Sequence, residues 1–426
     1  MVRAARRVSN AFPPVLTVEG PAATAEGIRR RRIEIDIPSG LIAKVGEPEG
    51  QANLLLGEEA LVLPGLIDLH VHAREDISMR DVYKEDFQSA GAAAIQGGVT
   101  AFADMPNNPT PPIDDESYLK KKALACRSPV TVLLYAGIGP GTRPLSFPAP
   151  YKAYMGHSVG PLFFENAGEL RETLRRYHGQ WVAFHAESAE VLRRCRNRPT
   201  HGERRPAEAE VKAVELALEL AAKHGFDPHI CHLSTAGGLE VIRAARRSGL
   251  RVSCEATPHH LFFDQEGLGN NPRQAYFQCN PPIRPRSDRI ALLEAIRSGE
   301  IDFLASDHAP HSREENEKGI SGMPHLDTFG PFLFWLFREG ISWETLRRAT
   351  AESPGRFLER FLPERFGRIE VGAVGSLTVL NSPQPSTIRQ STLRTKAGWS
   401  PFEGVTFPGR VRHTIVRGKV HAHAEW

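Results

Sequence analysis

Between residues 63 and 365 the chain repeats one pattern eight times: a short, mostly apolar segment followed by a linker that mostly carries helical periodicity. The strand-like segments are 66–72, 99–106, 130–138, 151–156, 181–187, 228–234, 251–260 and 301–310. Apolar runs of this length that alternate with helices pair in parallel and are buried on both faces. Eight such units predict an α/β fold, a (β/α)8 barrel. Helical patterns at 87–96, 115–125, 167–177, 207–223, 237–247 and 287–297 fill the connections, the last opening on Ser287 as a cap and closing at Gly299. Two more, at 328–338 and 343–350, follow the eighth strand. The connection 139–150 is rich in Pro and Gly and holds about the minimum length for a parallel crossover.

Residues 1–62 read instead as short strands, at 15–18, 33–37, 41–45 and 52–56, and the same character returns after 366, at 375–380 and 414–420. Neither end has enough strands to close a core. Both together are expected to form one small β-sandwich-like domain beside the barrel, giving the division 1–62, 63–365 and 366–426.

Charge excludes some functions. With 53 basic and 50 acidic residues the net charge is +3, which gives no electrostatic case for nucleic acid or a membrane surface. The basic run from Arg29 to Arg32 leads into the alternating Ile33-Glu34-Ile35-Asp36-Ile37 and reads as a solvated strand edge. Five widely spaced cysteines without a Cys-x-x-Cys pair read as reduced thiols, and a cytoplasmic location is expected. The longest aromatic-apolar run, 329–337, is too short to span a bilayer.

The strand ends carry the chemistry. His70 and His72 close the first apolar run two residues apart, so both imidazoles face one side of a strand, with Arg74 following toward the same mouth. Asn107 follows the second strand, Lys152 lies in the fourth, His185 ends the fifth, His232 the sixth, His259 and His260 the seventh, and Asp307 the eighth. Each residue alone has a structural explanation: a satisfied core histidine, a snorkelling lysine or a helix cap. Gathered at the C-terminal mouth of a barrel, four histidines and an aspartate read as a metal site.

The runs PGLIDLHVHARED, YKEDFQSAGAAAIQGGVTAFADMPNNPTPPID, YKAYMGHS, VAFHAES, HICHLST, CEATPHHLFF and FLASDHAPHSREEN, with KAGWSPFEG in the tail, resemble dihydroorotases of the cyclic amidohydrolase group, in matching order across the barrel. The resemblance implies two zinc ions bridged by a hydroxide. His70, His72 and Asp307 would hold the more buried ion, His185 and His232 the outer one, and a carboxylated Lys152 would bridge both. It implies reversible cyclisation of N-carbamoyl-L-aspartate to L-dihydroorotate plus water, a step of pyrimidine biosynthesis, with Asp307 as general acid and base. Arg74, Asn107 and His311 would clamp the substrate carboxylate, and Asn280 would contact the ring. A homodimer and an aspartate carbamoyltransferase partner are further expectations; the Gly-flanked stretch 156–160 after Lys152 is expected to act as a flap that excludes water.

The chain departs from the family where Arg-Glu-Pro-Gly becomes Arg74-Glu75-Asp76-Ile77, with extra residues before Lys84, so the loop beside the clamp is expected to differ in shape. Cys231 and Glu255, near His232, read either as an additional metal position or, for Cys231, as a small buried apolar residue. Hydantoinases, dihydropyrimidinases and allantoinases would share the metal site without the carboxylate clamp. An inactive scaffold for another pyrimidine enzyme would be expected to lose ligands that this chain keeps.

Overall fold

The computed structural model describes residues 14–156, 161–269, 273–382 and 384–423. Its centre is a closed ring of eight parallel strands. Leu66–Val71 pairs with Val99–Asp104, which pairs with Thr131–Leu134. That third strand continues past Tyr135 as Ala136–Ile138 and pairs there with Tyr151–Tyr154. Trp181–His185, Asp227–Ile230, Ser253–Ala256 and Phe303–Leu304 follow in order. A parallel bridge between Val71 and His308 closes the ring, and His72 N donates to His308 O at 2.8 Å. All six residues of Leu66–Val71 are buried, as expected for a strand covered by helices outside and by packed side chains inside.

Local sequence sets the helix starts. Asp86 and Asp114 each cap a helix, Phe87–Gln96 and Asp115–Ala125, in reciprocal capping boxes with Ser89 and Ser117. Helix Ala207–His224 ends at Gly225, whose φ of 69° a residue with a Cβ adopts poorly. No helix or strand lies within 139–150, as its composition predicts. Among the described residues no helix is long and apolar enough to cross a membrane, and all five cysteines are free.

Two local expectations are corrected. The seventh strand stops at Ala256; Pro258–Phe262 is a helical turn capped by Thr257, so His259 and His260 sit on a helix beyond the strand. Periodicity does not separate a short apolar strand from a short buried helix, and Thr-Pro is a helix-start signal. The helix Arg286–Arg297 starts after Pro285 with no side-chain cap, so Ser287 is inside it. The basic run lies within Gly27–Asp36, whose pairing with Leu41–Gly46 begins only at Arg32; Arg29 to Arg31 pair with Val15–Thr24 on one side alone and stand at a solvated edge, as expected.

The chain ends meet in one eight-stranded sheet. Strands Val15–Thr24, Ala60–Pro64, Leu377–Asn381 and Arg410–Val416 lie in it, the last two contributed from the C-terminal side. Ile42 N donates to Ala373 O and Gly375 N to Gly40 O, which folds one edge back on the sheet and encloses Ile33, Ile35, Val62, Val379 and Ile415. After Asn381 the chain leaves this sheet, and a hairpin of Ser386–Thr387 with Thr406–Phe407 carries the segment between them to the barrel mouth. There Phe402 packs on Phe262, Phe263 and Phe332, and Trp399 Nε1 donates to His311 O at 2.8 Å.

Candidate metal centre and active site

His70, His72 and Asp307 converge at the mouth, each offering one ligand atom within 4.8 Å of the others. Asp307 Oδ1 lies 3.3 Å from His70 Nε2 and 3.1 Å from His72 Nε2. The outer ring nitrogens are already engaged: His70 Nδ1 by Glu255, His72 Nδ1 by Asn107 Oδ1 at 2.7 Å. Those acceptors place the protons on Nδ1 and leave both Nε2 lone pairs facing Asp307, the arrangement that ligating histidines adopt. Burial, with the Lys152 charge next, holds His70 down at about 4. Burial and then the Arg74 charge hold His72 well below its ordinary value. Both imidazoles are therefore neutral at physiological pH.

His185 and His232 form a second group. His185 Nδ1 lies 3.0 Å from His232 Nε2, and His185 Nε2 donates to Glu187 at 2.9 Å. Glu187 also binds Arg205; burial opposes its ionisation but the Arg205 charge wins, bringing it down to about 2. Lys152 is fully buried between the two groups, with Nζ 2.7 Å from Cys231 Sγ and 5.5 Å from the Tyr154 ring. It forms no ion pair among the described residues. Asp307 is raised from its ordinary value because burial outweighs the pull of His70 and Lys152.

Backbone strain concentrates here. Only five non-glycine residues of the described chain hold a positive φ, and three of them are Arg74 (62°), His232 (36°) and Asp307 (48°). Left-handed backbone at such residues costs of the order of 1 kcal/mol each and persists where the surroundings impose it.

Arg74 is 4% exposed and forms no ion pair among the described residues. Its Nε donates to Pro310 O at 3.3 Å and its Nη2 to His311 Nε2 at 3.0 Å. The adjacent carboxylates are taken elsewhere: Glu75 by Arg127 and Phe87 N, Asp76 by Ser78 N and Thr110 N. The pocket is lined by His70, His72, Arg74, Asn107, Tyr154, His185, His232, Cys279, Asn280 and Asp307. His311 stands behind Arg74, held neutral first by burial and then by the guanidinium. The 156–160 flap lies, apart from Gly156, outside the described residues. In the loop beside Arg74, Tyr83 OH donates to Glu315 at 2.7 Å and Lys84 pairs with it at 3.0 Å.

The amidohydrolase family profile matches residues 61–421, spanning the last strand before the barrel, the barrel itself and the strands that complete the terminal sheet. The chain belongs to the amidohydrolase family. It is 35% identical over 396 residues to a dihydroorotase of Pyrococcus furiosus, covering 92% of this chain and 89% of that one. A dihydroorotase of Pyrococcus horikoshii is 34% identical over 395 residues, covering 91% of this chain and 87% of the relative. Among solved structures, an L-hydantoinase (dihydropyrimidinase) from Arthrobacter aurescens superposes with a TM-score of 0.85 at 25% identity, covering 96% of this chain and 97% of that one.

Amidohydrolases are generally metal-dependent, and the donor set of this amidohydrolase fits a divalent cation: neutral imidazoles with oriented lone pairs, a carboxylate between two of them, and buried groups that otherwise lack a partner. His70, Cys231 and Glu255 make a further group of potential ligands on the inner side. Sequence reasoning missed several residues that the fold supplies. Tyr154, two residues after Lys152 on the same strand, lines the pocket with a buried hydroxyl, and Glu187, two after His185, orients that ring; i, i+2 spacing could have found both. No sequence signal pairs Glu255 with His70, 185 residues apart.

Proposed function

We propose that this amidohydrolase is a dihydroorotase that interconverts N-carbamoyl-L-aspartate and L-dihydroorotate. The observation that carries the reading is Arg74: a buried guanidinium without a carboxylate partner among the described residues, lining the same pocket as the histidines and Asp307. An uncharged cyclic amide gives such a cation nothing to pair with, whereas a substrate carboxylate pairs with it by two charge-assisted hydrogen bonds. The identity to curated dihydroorotases over most of the chain supports the same choice.

His70, His72 and Asp307 would hold one zinc ion, His185 and His232 a second, and a carboxylated Lys152 would bridge them. Lys152 supports this assignment by being fully buried without an ion pair among the described residues, since a carboxylated amine would put an anionic ligand where a bare ammonium is costly. When bound, the ions supply Lewis acidity and a water ionised near neutral pH.

The protein's own residues do the rest. Arg74 anchors the carboxylate, and His311, accepting from Nη2, fixes the direction of the guanidinium. Asn107 holds His72 through Oδ1 and keeps its amide N–H groups for substrate. Asn280 lines the ring side of the pocket. In ring opening, the oxygen of water bonds to the ring carbonyl carbon while Asp307 accepts its proton. Asp307 then returns that proton to the ring nitrogen as the C–N bond breaks, and the reverse sequence closes the ring. A carboxyl raised by burial suits a group that must both take and give a proton. In this reading residues 63–365 carry the chemistry, and 1–62 with 366–426 form the supporting domain, apart from the Trp399 and Phe402 segment that braces the mouth.

The deciding experiment is ring opening of L-dihydroorotate beside 5,6-dihydrouracil, hydantoin and allantoin on zinc-loaded protein with bicarbonate. Turnover confined to dihydroorotate is expected. Turnover of the uncharged rings at comparable kcat/KM would move the protein to the hydantoinase side.

A further inference from the structure

The loop carrying Asn280 holds a second group of donors that this reaction does not use. Cys279, His259 and His260 each offer one ligand atom, and these atoms lie within 4.8 Å of one another. Cys279 lines the pocket and is 2% exposed, while both histidines sit on the helical turn Pro258–Phe262 and do not line it. His260 Nε2–H donates to Pro281 O at 3.1 Å, so its Nδ1 lone pair accepts from the Thr257 hydroxyl at 2.8 Å, a bond that a cation at Nδ1 would replace.

His259 is the more telling residue. It is 1% exposed, its Nδ1 lies 3.0 Å from His325 Nε2, and its Nε2 has no hydrogen-bond partner among the described residues. With Nδ1–H donating to His325, a bare lone pair is left inside the protein. A buried polar atom without a partner costs about 1–3 kcal/mol, so a ligand there is strongly favoured.

We propose that Cys279, His259 and His260 form a separate binding site for a thiophilic divalent cation, Zn2+ or Cd2+, in the wall of the active pocket. A thiolate and two imidazoles are a zinc-type donor set, and the pocket side leaves the fourth position to water. Ligand atoms around a tetrahedral zinc stand roughly 3.5 Å apart, so on binding the three side chains settle to that spacing from separations of at most 4.8 Å. The S–H bond of Cys279 breaks as the S–metal bond forms, and one proton per cation passes to solvent. Because Asn280 follows Cys279 directly, this movement shifts the ring side of the pocket, and excess cation lowers turnover.

Zinc-loaded protein in a Cys126→Ser background, which removes the exposed thiol, is titrated with Cd2+ while the thiolate-to-cadmium charge-transfer absorption is followed in the ultraviolet. This readout does not depend on which ring the protein opens. One saturable equivalent is expected in the background protein and in Cys231→Ser, and none in Cys279→Ser. A band that is lost with Cys231 and kept without Cys279, or no band at all, overturns the proposal. His259→Gln leaves the thiol in place and is expected to weaken Cd2+ binding at least about tenfold, the scale of losing one ligand; unchanged affinity would also overturn it.

Discussion

Replacing Arg74 with Met keeps most of the side chain's apolar length and removes only the guanidinium. Leaving one partner of a buried charge pair unpaired costs about 3–5 kcal/mol, and here the partner left behind is the substrate carboxylate. The lower end of that range is about 100-fold in kcat/KM for dihydroorotate, at 1.4 kcal/mol per factor of ten. For 5,6-dihydrouracil, which carries no carboxylate, the same substitution should change kcat/KM less than about threefold. The fold should tolerate it. Two hydrogen bonds are lost, to Pro310 O and His311 Nε2, at about 1 kcal/mol each, while a desolvated cation with no counter-ion among the described residues is removed. The assay is steady-state ring opening of both substrates by parent and variant at equal zinc content, with melting curves for each. If Arg74→Met retained dihydroorotate activity within about threefold of the parent, the guanidinium would have no part in binding the carboxylate, and the choice of substrate would fail with it.

Glu187→Gln weakens its hold on His185, so divalent-metal affinity should fall about 10- to 100-fold, measured by chelator competition; unchanged affinity would separate Glu187 from the metal centre. In metal-free protein His70 and His260 are both held at about 4 against an ordinary 6.5, mainly by burial. The folded state then binds fewer protons than the unfolded chain between these values, so this stability is complete above pH 6.5 and is lost as pH falls toward 4. Urea unfolding at pH 5 should show a loss of about 2 kcal/mol per residue relative to pH 7, and His260→Gln should flatten that slope. Phe332, fully buried against Phe262, Phe402 and Phe407, should cost about 3–5 kcal/mol when cut to Ala. The same change should expose the segment around Phe402 to protease before the barrel unfolds.

The sequence by itself determined the barrel and the gathering of histidines and Asp307 at its mouth, because both are written in local spacing. Eight apolar runs at barrel intervals leave few other topologies, and His70 and His72 share a face through the two-residue period of a strand. The same locality explains the errors: the Thr-Pro start after Ala256 competes with a continuing apolar run, and only packing decides that His259 and His260 turn on a helix. Tertiary structure alone decided which nitrogen each histidine turns inward. Glu255, Asn107 and Glu187 set those tautomers, and two of the three contacts join different strands or loops. It also decided that His311 stands behind Arg74, and that the C-terminal segment with Trp399 and Phe402 braces the mouth while its neighbours complete the distant sheet. Contacts between residues far apart in the chain depend on barrel closure, and no period in a single strand encodes them.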